Sequence, residues 1–154
     1  MKTMLLILLV FLARTIFPSG TESNASPNKS IEIVIPAKGS SISCSKTKSG
    51  KRLHFTAKGN SINLNEGEFI TLFLRPTNEN EWVRISDPMK IEQNNSNLWA
   101  FNIDTVIGKR YKLVELSAVV SSSVIKATKL DYEAFELLPS IISRSQNDFT
   151  VIFQ

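Results

Sequence analysis

Serine followed three residues later by lysine occurs twice in the stretch "SISCSKTK", as Ser43 with Lys46 and as Ser45 with Lys48. On a helix that spacing puts a lysine one turn from a serine nucleophile, the arrangement used by serine acyl-transferases. Here the surrounding residues are turn-forming, the companion motifs of those enzymes are absent, and the chain is too short for their fold. His54 is the sole histidine, so neither a Ser-His-Asp triad nor a His-based metal site can be assembled. Carboxylates could work in pairs as acid and base. Glu66 with Glu68, Glu79 with Glu81, and Asp131 with Glu133 and Glu136 are spaced like solvated surface, with no aromatic pocket assignable to any of them. A D-x-D-x-D-G calcium run and a glycine-rich phosphate loop are both missing. No catalytic residue, metal ligand or cofactor-binding residue is expected, and the protein is not read as an enzyme.

What remains is charge and aromatic surface. Lys46, Lys48, Lys51 and Arg52 form the densest cationic run, suited to a sulfated glycan, an anionic lipid or an acidic protein. A second group, Lys109, Arg110 and Lys112, flanks Tyr111; by strand alternation Arg110 and Lys112 share one face and Tyr111 takes the other. Trp82 follows the charged turn "TNENE" on a short strand at a sheet edge, where an exposed indole would suit carbohydrate stacking or a protein contact. Trp99 shares a face with Phe101 and Ile103 and is expected in the core. The net charge of +4 is too small and too diffuse to argue nucleic-acid binding.

The elements that must position these residues are short strands. "SIEIVIP" alternates, with Ile31, Ile33 and Ile35 on one face. "AKGSSISCSKTKSGK" reads as a loop, "RLHFTAKG" as a second strand and "NSINLNEGE" as a link. "EFITLFLRP" is apolar on both faces and so is expected at the centre of a sheet. "WVRIS", "LWAFNI" and "RYKLVELSAVV" follow, the last as the longest strand. "VIKATKLDYEAFELLP" turns to helical spacing at Leu130, Ala134, Leu137 and Leu138, which predicts a short helix stopped before Pro139. "DFTVIF" is the closing strand. About seven strands with one short helix before the last describe an antiparallel β-sandwich of immunoglobulin-like form. In that architecture Gly108 turns the chain and Tyr111 acts as a corner latch, bonding back to backbone a few residues upstream.

The first segment, "MKTMLLILLVFLARTIFPSG", has a basic residue ahead of ten apolar ones, short of a bilayer span but matching a secretory signal. The expected organisation is a signal peptide over residues 1–25, cleaved after Ala25 or alternatively after Gly20. A polar leader with the first strand and the Ser/Lys loop follows over 26–49, and the rest of the sandwich over 50–154. Removing the signal lowers the net charge to +3, since Lys2, Arg14 and Glu22 leave with it. No stable membrane insertion is expected afterwards, and the destination is periplasmic or extracellular. An exported chain with Cys44 as its only cysteine closes no internal disulfide, so packing must supply its stability. Three sequons, at Asn24, Asn28 and Asn94, matter only where the source glycosylates.

Over about residues 50–154 the chain resembles small immunoglobulin-like domains of exported and signalling-associated bacterial proteins. The resemblance rests on "GNSINLNEGEFITLFLRP", the tryptophan of "NEWVRI", "NLWAFNI", "IGKRYKLVEL", and "LP" before "DFTVIF". It implies fold rather than chemistry: a binding or accessory role, with no catalytic residues to carry over. Two expectations follow. One is a module that binds a protein partner through loops and a sheet edge. The other is a binder of glycan or polyanion through the Lys46–Arg52 loop and Trp82.

Overall fold

The computed structural model describes residues 28–92 and 97–153; the expected signal over 1–25 and the sequons at Asn24 and Asn94 lie outside them. The chain is all-β and sandwich-like, with one short helix before the last strand. In chain order the strands are β1 (Ser30–Ile35), β2 (Ser40–Lys46), β3 (Lys51–Ile62), β4 (Phe69–Pro76), β5 (Glu81–Arg84) and β6 (Met89–Lys90). They continue with β7 (Leu98–Ile107), β8 (Leu113–Ser121) and β9 (Lys129–Asp131); helix α1 (Tyr132–Glu136) then precedes β10 (Ile141–Phe153). Hydrogen-bonded neighbours run β1-β3-β2-β10-β8-β4-β5-β9, with β7 on the other side of β3 and β6 on β4. Every pair is antiparallel except β10 with β2, which run parallel.

The sheet folds over a main core. Leu53, Ala57, Trp99, Ile103 and Ile107 from β3 and β7 meet Ile70, Leu72 and Leu74 of β4 and Val114, Leu116 and Val120 of β8. Burying each large aliphatic side chain there contributes about 1.5–3 kcal/mol, which is how a chain without a disulfide holds together. Both faces of β4 are apolar because each covers a different core. Phe73, on the opposite face, packs with Trp82, Val119, Ile125 and Phe135 beneath α1. The helix is started by Asp131, whose Oδ1 accepts a hydrogen bond from the Ala134 amide at 2.7 Å.

Several expected boundaries shift. The Ser/Lys-rich stretch assigned to a loop is strand β2: it pairs with both β3 and β10, and Cys44 is buried rather than in a mobile segment. Its serines lie on the exposed or half-buried positions, so the alternation carries almost no hydrophobic signal. A register shift between Ile33 and Ile35 takes Ile35 out of the face it shares by alternation with Ile31 and Ile33, and it is exposed. β7 runs on through the expected link to Ile107, and β10, not β8, is the longest strand. In α1 the buried side chain is Phe135, while Leu137 is the helix's C-cap and stands in solvent.

Candidate functional site

Trp82 is not at a surface. Its exposure is 0 %, because β9 pairs along β5 and α1 lays Phe135 against the indole at 4.8 Å between ring centroids. The Arg75 guanidinium lies over the indole at 5.0 Å and over the Tyr132 ring at 4.7 Å. The expectation of an exposed aromatic for glycan or protein contact is therefore corrected. A later segment of the chain covers what adjacent sequence leaves open.

The two basic groups, about sixty residues apart in sequence, meet at one end of the sandwich. Strand pairing does this: Lys46 sits directly across from Lys51, and Lys51 sits directly across from Ile107, the last residue before the turn that carries Lys109, Arg110 and Lys112. Gly50 lies so close to this turn that an added Cβ would overlap the Ile107 carbonyl oxygen. Val151 of β10 donates its amide hydrogen bond to the Lys112 carbonyl at 2.7 Å, bringing the end of β10 alongside. There the Phe153 ring, 48 % exposed, lies under two ammonium groups: Lys46 Nζ at 5.5 Å and Lys51 Nζ at 5.0 Å from its centroid.

The cations at this end differ in availability. Lys51 is buried, 3 % exposed, with its Nζ donating to the Tyr111 carbonyl at 2.5 Å, so it caps the core rather than meeting solvent as expected. Arg52 points to the opposite face and donates to both carboxylate oxygens of Asp104, at 2.7 and 2.5 Å. That hydrogen-bonded pair raises the Arg52 pKa and holds the Asp104 carboxyl below its ordinary value. Arg110 is paired with Glu79 at 2.5 Å. Lys46, Lys48, Lys109 and Lys112 are exposed and make no ion pair with a described residue.

Tyr111 latches the end, but not to backbone as the corner motif leads one to expect. Its hydroxyl donates to Glu79 Oε1 in the turn between β4 and β5. Arg110 Nη2 donates to the same hydroxyl at 2.8 Å, and its guanidinium stacks over the Tyr111 ring at 5.0 Å. The two side chains are together, not on opposite faces, because residues 108–112 form a turn to which strand alternation does not apply. At Gly108 the constraint is close approach: a Cβ there would sit 2.7 Å from Tyr111 Cε2. The Tyr111 hydrogen bond, then that from Arg110, pulls the Glu79 pKa down. Tyr111→Phe should lower stability at neutral pH by about 1 kcal/mol, one net hydrogen bond. The bond stabilises the fold fully above the ordinary carboxylate pKa and fades as pH falls through the depressed folded value. Urea titrations of wild type and variant should therefore converge in strong acid.

The residues with chemistry in their side chains are otherwise tied into the scaffold. Ser43 and Lys46, like Ser45 and Lys48, are not one helical turn apart: three residues along a strand, the first pair face opposite ways. Lys48 lies in the hairpin turn beyond β2. His54 is exposed on β3, opposite Asp104. Glu68 holds Lys29, Glu81 holds Lys129 at 2.8 Å and Glu136 holds Arg144 at 2.6 Å. Beside Tyr111 a cleft of about 200 Å³ opens between β5 and β7, but both carboxylates on its rim, Glu79 and Glu81, are already paired. Among the described residues no three His, Cys, Asp or Glu side chains gather as a metal site would require, and no helix is long and apolar enough to cross a membrane. Neither a family model nor a curated protein matches the chain.

Proposed function

We propose that the protein is an exported, non-catalytic binding module of the bacterial immunoglobulin-like kind, and that its ligand is a polyanionic glycan held at the lysine-rich end of the sandwich. One observation carries this reading. Lys46 and Lys51 face each other across an antiparallel pair over the same exposed phenyl ring, with Lys48, Lys109 and Lys112 at the same end, and none of them is ion-paired to a described carboxylate. Like charges directly opposite on a sheet are destabilising, and charges this close lie within the screening length of about 8–10 Å at physiological salt. An anion spanning them relieves that repulsion, and Phe153 offers an apolar face for a sugar ring. The buried Trp82 indole is lost to both expectations, the protein partner and the glycan, so the glycan reading stands on the lysines and Phe153 alone.

Immobilised sulfated glycan, with an uncharged glycan of equal length as control, tests the reading. Binding should weaken steeply with added salt. Replacing Lys46, Lys48, Lys109 and Lys112 together by alanine should reduce affinity on the order of 100-fold, at up to about 1 kcal/mol per lysine. Lys51 is left out of the set because its ammonium holds the Tyr111 carbonyl. Salt-insensitive binding, or binding unchanged in the four-lysine variant, overturns the proposal.

A further inference from the structure

Two arginines border the lysines of the glycan end, and they are paired in different ways. Arg52 uses two nitrogens, Nε and Nη2, on the two carboxylate oxygens of Asp104, the parallel geometry in which a guanidinium and a carboxylate fit best. Arg110 uses one. Its Nη2 reaches Glu79 Oε1 at 2.5 Å and the Tyr111 hydroxyl at 2.8 Å, and its Nε and Nη1 take no part in either contact. The Arg110 side chain is 75 % exposed and that of Glu79 34 %. A single-bonded ion pair so open to water contributes little, and salt weakens it further.

The carboxylate in this pair is fixed by contacts that Arg110 does not supply. Glu79 stands in the turn between β4 and β5, where its amide donates to the Pro76 carbonyl at 2.9 Å and its carbonyl accepts from Arg75 Nη1 at 3.4 Å. Its Oε1 also accepts from the Tyr111 hydroxyl. Arg110 belongs to the other turn, between Lys109 and Lys112. Tyr111 ties this turn to both neighbours: its hydroxyl is on Glu79, and its carbonyl accepts from Lys51, whose ammonium lies over Phe153. A sulfate group presents paired oxygens to the guanidinium fork, as Asp104 does to Arg52, and so makes more of Arg110 than one oxygen of Glu79 can. Resting on the reading of this end as a polyanion site, we infer that Glu79 is an internal competitor for the glycan, holding Arg110 out of the cationic set until a sulfate group takes its place. Arg52 is not recruited in this way, because its pairing is already two-bonded and it points to the opposite face.

A double-mutant cycle of Glu79→Gln and Arg110→Ala, read on immobilised sulfated glycan at low salt, tests this. Glutamine keeps an acceptor for the Tyr111 hydroxyl while removing the competing charge. Glu79→Gln should tighten binding roughly three-fold, the scale of one exposed ion pair. Arg110→Ala should cost little in the wild type and several-fold in the Glu79→Gln background, where the guanidinium is already released to the ligand. Circular dichroism and urea midpoints establish that each variant is folded. Equal costs of Arg110→Ala in the two backgrounds overturn the inference, because the general effect of removing one negative charge near the site gives that result. So does a Glu79→Gln variant that binds no tighter than wild type. A wild type without affinity for the sulfated glycan overturns the glycan reading and this inference together, whereas binding without the coupling overturns this inference alone.

Discussion

Replacing Trp82 by alanine is expected to destabilise the protein by about 3–5 kcal/mol, the range for emptying a large aromatic site in a core. The indole is fully buried and stacked on Phe135, which in turn meets Phe73 edge-on at 5.2 Å. It also carries the Arg75 guanidinium, which donates to Glu115 at 3.0 and 2.5 Å. Its loss therefore opens a cavity under α1 and removes one of two rings flanking a cation. Trp82→Phe should recover much of the loss, because it refills most of the volume. Denaturant midpoints read the stability and the glycan assay reads the function. The full effect should appear in the first for both variants, and neither folded variant should weaken binding at the lysine-rich end. A change of less than about 0.5 kcal/mol, the scale of ordinary surface substitutions, would mean that the indole is not in a core.

The second large effect is expected from one methyl group. Gly59→Ala should destabilise by about 3 kcal/mol, the upper end for overpacking. At this position a Cβ would stand 2.5 Å from Trp99 Cε2 and closer still to Trp99 Cζ2 and to the Glu32 carbonyl oxygen. A flexible side-chain tip could move aside, but a paired backbone carbonyl and a buried indole cannot. The indole is held by its own bond, Nε1 donating to the Asn60 carbonyl at 3.1 Å. Trimming the indole does not relieve the clash with Glu32, so Gly59→Ala combined with Trp99→Leu should be less stable than either single variant. Urea unfolding followed by tryptophan fluorescence for the single variant, and by circular dichroism for the pair, checks both statements.

Gly59 shows how alternation misleads. Read locally it ends a strand; in the fold β3 passes straight through it to Ile62, because Trp99 of the neighbouring strand occupies the place of its side chain. Where strongly apolar residues mark the buried positions, as on both faces of β4 and at Trp99 and Ile103 of β7, the pattern along the chain is enough. β2 escapes that test because it is a strand by virtue of its neighbours, with Cys44 as its only buried side chain. Trp82 escapes because the residues that bury it lie fifty positions further on. The same holds at the candidate site. The lysines were legible as two charged groups, but their union depends on the pairing of Lys51 with Ile107, and the latch from Tyr111 to Glu79 spans two separate turns. Local periodicity encodes faces; it does not encode which edges meet.

The placement of β10 bears on the order in which the molecule can be made. Its first ten residues run antiparallel to β8, and its last five run parallel to β2, so this one strand joins the two halves of the sheet. It also follows every other strand in the chain. A polypeptide emerging amino end first can form the β3–β7 and β4–β8 pairings early, yet no strand hydrogen-bonds one piece to the other until residues 141–153 insert between them. Non-local pairing of this kind is slow, because the loop-closure entropy must be met before the contacts form. Until then the two halves of the sheet share no hydrogen-bonded strand, and the last segment of the described chain acts as the bolt that shuts the fold.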